Sequence, residues 1–307
     1  MLIEHLRIET GLRPYGAVGV DVFFAISGFI IYFVTQNDRR LFFLKRVIRI
    51  VPLYWLATFA IAAVALIKPN LLNNAAFGVS HLIESLLFIP HFTDAQGLRP
   101  LLALGWTLNY EMMFYLLFAL AMTISHARRF ELCLLFLLLL WGVTNLLPLP
   151  ETNGISFYRD PIFLEFIFGM AIARFVHGHR LQKRSGMLML LVLGFVVFLP
   201  ITIWRPTGIR IVDNGLPAAL LFAAFLLAEP LFAAIAPLRK MGVFGGEISY
   251  ALYLTHIYFL GAFARLLHLH GWALWGMCLI TIPLIAWAIY RFVESPITHY
   301  LRRTLLD

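Results

Sequence analysis

The amino-acid sequence predicts an all-α protein, a polytopic bundle of about nine transmembrane helices. Hydrophobic residues make up 61% of the 307 residues and charged residues only 13%, whereas soluble domains carry about 25% charged residues. The mean hydropathy is +0.86. Apolar runs of about 20 residues, the length that crosses a bilayer as a helix, recur along the chain. They leave no room for a soluble domain, so residues 1–307 are interpreted as one integral-membrane domain.

Each apolar run is assigned as one span, and the charged or Pro- and Gly-containing segments between the runs are loops. The predicted spans are residues 17–36, 52–67, 103–124, 131–147, 161–176, 187–204, 215–236, 246–267 and 272–293. Segment 81–90 is moderately apolar but too short to cross, so we expect it at the membrane interface or folded back into the protein. Residues 1–16 are polar, too short for a domain and without the apolar centre of a signal peptide.

The formal net charge is +8, but its distribution argues against nucleic-acid binding, because the basic residues occupy short loops between apolar runs. Alternate loops carry fourteen and seven Lys and Arg residues. The positive-inside rule places the richer set, and the C-terminus with it, in the cytoplasm. The N-terminus then lies outside, so we expect the chain to begin part-way through its fold, without most of a first helix.

The cysteines and histidines predict neither a disulfide nor a metal site. Cys133 and Cys278 lie far apart inside apolar runs, where they are expected to be small buried hydrophobic residues. Two histidine pairs, at 177 and 179 and at 268 and 270, fall in loops and have no carboxylate or thiolate companions. No metal ligand is therefore assigned.

Two carboxylates, Asp21 and Glu111, lie inside apolar runs. A charged side chain at the centre of a membrane helix costs roughly 2.5–3.5 kcal/mol, so both are candidate catalytic residues. Thr107, Glu111 and Tyr115 are spaced i, i+4, i+8 and share one helix face. Tyr115 is assigned to the substrate path, with interhelical hydrogen bonding as its alternative role.

A second polar face is predicted on a later span. Ser249, Tyr253 and His256 are spaced i, i+4, i+7, so their side chains point to the same side of a helix. They are assigned to the substrate path as well. The alternative is again that such groups hold the bundle together by hydrogen bonds.

His5 precedes the first span on a polar segment. A single histidine there is usually a solvated side chain, and it becomes a catalytic candidate only together with Asp21. A carboxylate that accepts from one imidazole nitrogen fixes the tautomer and leaves the other nitrogen basic, which suits a general base. His5 and Asp21 are therefore predicted to form a dyad.

Basic side chains gather on the predicted cytoplasmic side of the second span. Arg46 and Arg49 are spaced i, i+3 and share a helix face, with Lys45 beside them. Guanidinium groups match the geometry of phosphate oxygens, so these three residues are candidates for binding a phosphorylated cofactor. Attraction to anionic lipid is the alternative role.

Several motifs in the same order resemble the integral-membrane acyltransferase-3 family, whose members O-acylate bacterial surface sugars. The matching stretches are GVDVFFAISGFII (19–31), FLKRVIRIVPLYW (43–55), WTLNYEMMFYLLF (106–118), FGMAIA (168–173), GEISYALYLTH (246–256) and the closing ESP (294–296). The resemblance covers nearly the whole chain. It implies about ten helices, in a bacterial cytoplasmic membrane.

The resemblance also implies roles. Acyl-CoA, acetyl-CoA in particular, would be the donor substrate, bound from the cytoplasm, and a sugar or glycolipid hydroxyl would be the acceptor. Arg46 and Arg49 match the family's R-x-x-R motif, and His5 matches its essential histidine by spacing. The family's arginine on the first helix would fall before residue 1. In this respect the chain departs from the family pattern and resembles a truncated copy. Two alternatives stay open: a transporter of polysaccharide units or organic acids, and an inactive copy.

Overall fold

The computed structural model describes residues 17–37, 40–68, 78–93, 97–178, 188, 191–196, 206–266 and 271–306. Within these residues the fold is helical and contains no β-strand. The α-helices are α1 (Ala17–Val34), α2 (Phe42–Ile67), α3 (Val79–Leu86), α4 (Trp106–Ile124), α5 (Arg129–Leu146), α6 (Glu165–Gly178), α7 (Leu216–Ala233), α8 (Ala236–Leu266), α9 (Gly271–Ile289) and α10 (Ser295–Leu305). Short 3₁₀ segments (Ala103–Gly105, Gly154–Arg159, Pro161–Leu164) and two π-helical turns (Ile211–Gly215, Tyr290–Glu294) join them.

Five helical stretches among the described residues are long and apolar enough to cross a membrane. They are Phe42–Ile67, Ala103–Ile124, Arg129–Leu146, Ile211–Ala233 and Ala273–Leu305, with Gly19–Val34 as a shorter apolar helix. The all-α membrane fold is thus confirmed. The count of nine spans stays a prediction.

The second helix begins earlier than predicted. The sequence placed its start at Pro52, but α2 begins at Phe42 and contains Pro52 in its interior. Proline removes one backbone hydrogen bond, here the bond to the carbonyl of Ile48, and a long helix can lose one bond and continue. The consequence is that Lys45, Arg46 and the neighbouring Arg49 belong to the membrane helix itself.

Helices α1 and α6 approach each other very closely. A Cβ atom at Gly28 would collide with the backbone carbonyl of Phe166, and one at Gly169 would collide with the backbone of Ala25. Small residues that let helix backbones meet are a common packing device in membranes. This contact sets Asp21, near the start of α1, beside the start of α6.

The short segment between α2 and α4 packs back onto the protein. Helix α3 buries His81 and Ser85. Tyr54 of α2 donates to the carbonyl of Ser85 at 2.9 Å, and the Trp55 indole nitrogen donates to the carbonyl of Leu86 at 2.9 Å. The segment is therefore folded back onto the protein, and a position at the membrane interface stays a prediction.

Candidate active site

Asp21 lies completely buried near the start of α1. Its Oδ1 accepts a hydrogen bond from Nη2 of Arg210 at 2.8 Å. Arg210 immediately precedes the π-helical turn that leads into α7, and its side chain is 28% exposed. A buried carboxylate is stable only when it is paired, so Arg210 is the residue that permits Asp21 to lie here.

Two further carboxylates surround the same guanidinium. Arg210 Nε lies 3.7 Å from Oδ1 of Asp160 and 3.9 Å from Oε1 of Glu165. The buried Glu165 carboxyl also lies close enough to the Asp21 carboxyl for the two groups to interact electrostatically. We call Asp21, Asp160, Glu165 and Arg210 the Asp21 cluster.

The Asp21 cluster does not resemble a metal site, although it holds three carboxylates. No three His, Cys, Asp or Glu side chains in the described part of the chain are placed to hold an ion. The guanidinium of Arg210 supplies the positive charge among these carboxylates instead of a metal ion. The glycine of the π-helical turn makes room for this arrangement, because a Cβ at Gly215 would lie 3.1 Å from Oε1 of Glu165.

A second polar group lies deeper in the bundle, around Glu111 of α4. Glu111 is buried, and one of its oxygens accepts from Ser27 Oγ of α1 at 2.9 Å. The same oxygen accepts a hydrogen bond from the Tyr115 hydroxyl, one turn further along α4. The sequence prediction that Glu111 and Tyr115 share a face is confirmed by this contact.

Arginines of α2 complete this second group. The positive charges of Arg46 and Arg49 lie close enough to act on the Glu111 carboxylate. Arg49 Nη1 is also 3.3 Å from Oε1 of Glu294, whose side chain is 2% exposed. We call the full set the Glu111 cluster; its members are Ser27, Arg46, Arg49, Glu111, Tyr115 and Glu294. Lys45 lies half-buried on the same helix beside Arg46.

One helix carries side chains of both clusters. Asp21 and Ser27 are six residues apart on α1, which corresponds to about 9 Å along a helix axis. The Asp21 cluster therefore lies at the end of the bundle where α1, α6 and α7 begin. The Glu111 cluster lies further inside, towards the end where α2 begins.

The three residues of the predicted polar face of α8 do not form a single cluster. Tyr253 donates to the carbonyl of Leu104 at 2.8 Å and shares a hydrogen bond with Thr107. Its ring stacks on Phe23, two residues from Asp21, with 5.7 Å between ring centroids. Tyr253 is thus an α8 residue that contacts the site region.

The other two residues of this face differ in their surroundings. His256 is buried, and its Nδ1 lies 2.9 Å from the carbonyl oxygen of Tyr253 in the preceding turn. Ser249 is exposed and donates to the carbonyl of Gly246 in its own helix. The structure does not bring Ser249 together with the other polar residues, and its place on a substrate path stays a prediction.

The dyad predicted for Asp21 involves a residue outside the described part of the chain, since His5 falls in residues 1–16. Arg210 and Glu165 were not among the assigned site residues. A weak signal was present, because Arg210 precedes the predicted span 215–236 and Glu165 lies near the start of the predicted span 161–176. Their meeting with Asp21 depends on helix packing that local spacing does not encode.

Comparison with known proteins identifies the family. A family model described as an acyltransferase domain matches residues 4–291. The chain belongs to the acyltransferase-3 family. This finding confirms the resemblance carried by the motifs, and it makes the protein a membrane acyltransferase with several apolar helices.

Two relatives extend the comparison. The chain is 31% identical to the exopolysaccharide production protein ExoZ of Rhizobium meliloti (strain 1021), over 96% of this chain and 94% of ExoZ. It is 26% identical to the O-acetyltransferase OatA of Staphylococcus aureus, over 97% of this chain but 55% of OatA. No solved structure matches the chain.

Proposed function

We propose that this acyltransferase moves an acyl group, acetyl in the simplest case, from acyl-CoA to a hydroxyl of a cell-surface polysaccharide or glycolipid. The names of two relatives, one in exopolysaccharide production and one an O-acetyltransferase, support the acceptor and the acyl group. The observation that carries the proposal is the Glu111 cluster. Two half-buried arginines lie there near buried carboxylates, with Arg49 3.3 Å from Glu294, and such an arrangement could recognise a charged donor inside an apolar bundle.

Arg46 and Arg49 would bind the phosphate groups of the donor. Both side chains are half-buried on one face of α2, and Nε of Arg46 is buried with no hydrogen-bond acceptor among the described residues. Guanidinium groups bind phosphate oxygens through paired N–H donors. Lys45, on the same helix, would add positive charge beside them. The distribution of basic residues between loops supports a cytoplasmic position for this end.

The chemical step exchanges one bond for another. The acceptor hydroxyl oxygen bonds to the thioester carbonyl carbon, the carbon–sulfur bond breaks, and the sulfur leaves with a proton as the CoA thiol. The hydroxyl proton passes to a base, for which His5, oriented by Asp21, is the candidate. An acyl-histidine intermediate would complete the same bond changes in two steps. Arg210 would balance the charge of Asp21 throughout.

The remaining site residues would guide the substrates between the two clusters. Glu111 and Tyr115 lie deeper in the bundle than Asp21, so they would line the path of the acyl group or contact the acceptor. Tyr253 and His256 would line the side formed by α8. Surrounding lipid provides the apolar medium in which these few polar groups act.

The experiment measures transfer of labelled acetyl from acetyl-CoA to polysaccharide by purified protein in lipid nanodiscs. Asp21→Asn should lower kcat by a factor of about 10² or more, the usual size of a general-base contribution. Arg46→Gln should raise KM for acetyl-CoA about tenfold, the loss of about 1.4 kcal/mol of binding. Arg174→Gln is the matched control, because Arg174 pairs with Glu131 away from both clusters.

Four outcomes would contradict parts of the proposal. Full activity in both His5→Ala and Asp21→Asn would remove the dyad. An unchanged KM in Arg46→Gln would remove the assignment of the phosphate site. Acyl transfer without any dependence on CoA, or substrate flux without acyl transfer, would contradict the donor or the reaction itself.

A further inference from the structure

Glu294 lies on an irregular part of the helix that runs from α9 into α10. The π-helical turn Tyr290–Glu294 separates the two helices, and the N–H of Ser295 bonds to the carbonyl of Tyr290, five residues earlier. Pro296 follows directly. Proline lacks an N–H and its ring clashes with the carbonyl four residues before it, so Pro296 favours an irregular turn over a regular α-helix at this point. Turns of this kind occur often at functional sites.

The π-helical turn places the carboxylate of Glu294 where burial is energetically unfavourable. The Glu294 side chain is 2% exposed, whereas Phe292 on the same turn is 70% exposed. Neither carboxylate oxygen accepts a hydrogen bond from the described residues. Its favourable contact is the ion pair with Arg49 at 3.3 Å. An apolar residue would be the more stable choice for packing alone, so the pair calls for another explanation.

The ion pair restrains Arg49. The guanidinium is 35% exposed at the side chain, and an arginine in that situation has many accessible rotamers. The ion pair between Nη1 and the Glu294 carboxylate restricts the Arg49 side chain to fewer of these rotamers. The other N–H groups of the guanidinium remain available to bind a ligand. The backbone next to Arg49 is held as well, because the Tyr250 hydroxyl of α8 donates to the carbonyl of the following residue, Ile50, at 2.7 Å.

We propose that Glu294 is a positioning residue, which holds the Arg49 guanidinium in the orientation that binds a phosphate of acyl-CoA. The proposal rests on the proposed function, since it takes acyl-CoA as the donor. It predicts a defect in donor binding with little change in chemistry. The proposal also fixes the direction of the change in donor affinity. If Arg49 were rigid without Glu294, removing this negative charge would strengthen binding of an anionic donor. If Glu294 positions Arg49, removing it weakens binding.

The test measures kcat and KM for acetyl-CoA, and the dissociation constant for CoA by calorimetry, in nanodisc-embedded protein. Glu294→Gln should raise KM and the dissociation constant about tenfold and change kcat less than about twofold. Glu294→Asp, which keeps the charge, should recover part of the loss. With S-acetylpantetheine, a donor without phosphates, the wild type and Glu294→Gln should have equal KM values.

A double-mutant cycle separates positioning from general structural support. In an Arg49→Gln background, Glu294→Gln should cause no further change in KM, because the group through which it acts is gone. Glu131→Gln is the matched control, since it removes the carboxylate of another arginine pair, Arg174–Glu131, and should leave KM unchanged. Thermal unfolding curves of all variants establish that they fold, and Glu294→Asp serves as the second variant if Glu294→Gln does not fold.

The failures are distinguishable. If the wild type transfers acetyl from acetyl-CoA but Glu294→Gln binds CoA equally well or more tightly, the positioning role is wrong and the proposed function stands. If the double-mutant cycle shows additive effects, Glu294 acts independently of Arg49 and the proposal is wrong. If the wild type neither binds CoA nor transfers acetyl, the proposed function fails.

Discussion

The Asp21 cluster and the Glu111 cluster are both buried polar groups along α1, but they differ in charge balance. In the Asp21 cluster one guanidinium faces three carboxylates. In the Glu111 cluster Arg49 pairs with Glu294, Arg46 and Arg49 both lie near Glu111, and Lys45 lies beside them on α2. The first cluster therefore carries excess negative charge and depends on its single arginine. The second has cationic donors to offer an anionic ligand.

The two clusters also differ in how they are assembled. The Glu111 cluster combines a local contact, Glu111 with Tyr115 one turn away on α4, with the distant pair Arg49–Glu294. In the Asp21 cluster the central contact, Arg210 with Asp21, joins side chains 189 positions apart in the chain. Asp21 and Glu165 are fully buried and depend on this one guanidinium, whereas the arginines of α2 are half-buried. We therefore expect substitutions in the Asp21 cluster to affect stability most, and substitutions at the arginines of α2 to affect donor binding.

Arg210→Gln should have the largest effect. It leaves Asp21 and Glu165 buried without a cation, and breaking a buried pair from one side costs about 3–5 kcal/mol. We expect a large drop in the thermal unfolding midpoint of the detergent-solubilised protein, together with loss of acyl transfer. Adding Asp21→Asn should restore part of the stability but none of the activity.

Arg46→Gln is the comparison for that variant. Arg46 forms no ion pair with a carboxylate among the described residues. The substitution should therefore change the free energy of unfolding of the protein by less than about 1 kcal/mol. Equal destabilisation by the two substitutions would contradict the distinction between the clusters.

Gly169→Ala should come next. The added Cβ would collide with the backbone of Ala25, and overpacking of this kind costs about 1–3 kcal/mol. Separating α1 from α6 would also move Asp21 away from Glu165, so activity should fall. Gly142→Ala is the matched control, because no atom lies within 4 Å of the position of its Cβ. Because alanine has the higher helix propensity, Gly142→Ala should not lower the melting midpoint. A midpoint of Gly169→Ala equal to that of Gly142→Ala would contradict the role given to the α1–α6 contact.

Tyr115→Phe should have a moderate effect. It removes one of two hydroxyl donors to the buried Glu111, and hydrogen bonds to charged groups contribute about 1.5–3 kcal/mol. We expect lower thermal stability and reduced acyl transfer, with the Glu111 cluster otherwise intact. Tyr300→Phe is the control, since Tyr300 is 69% exposed. Wild-type stability of Tyr115→Phe would mean that Glu111 does not need this donor.

Glu131→Gln should have the smallest effect. Glu131 pairs with Arg174, and both side chains are about half exposed. Exposed ion pairs contribute less than about 1 kcal/mol because water and salt screen them. Unfolding midpoints measured at low and high salt should differ little from those of the wild type. A strong destabilisation would show that charge pairs outside the two clusters also hold the bundle.

The sequence predicted one cluster better than the other, for a reason visible in the residues. Glu111 and Tyr115 are four positions apart on one helix, and helical periodicity alone places them in contact. Arg46 and Arg49 follow the same rule on α2. The pairing of Asp21 with Arg210 follows no such rule, because it depends on α1 meeting α6 and on the π-helical turn before α7.

The sequence by itself determined that this protein is an all-α membrane acyltransferase with carboxylates inside its spans, because hydropathy, periodicity and ordered motifs are local properties of the chain. Only the tertiary structure decided which charges neutralise these carboxylates: Arg210 for Asp21, and Arg49 for Glu294. The physical reason is that the low dielectric of the bundle makes every buried charge depend on its nearest opposite charge. That neighbour is chosen by helix packing, not by spacing along the sequence.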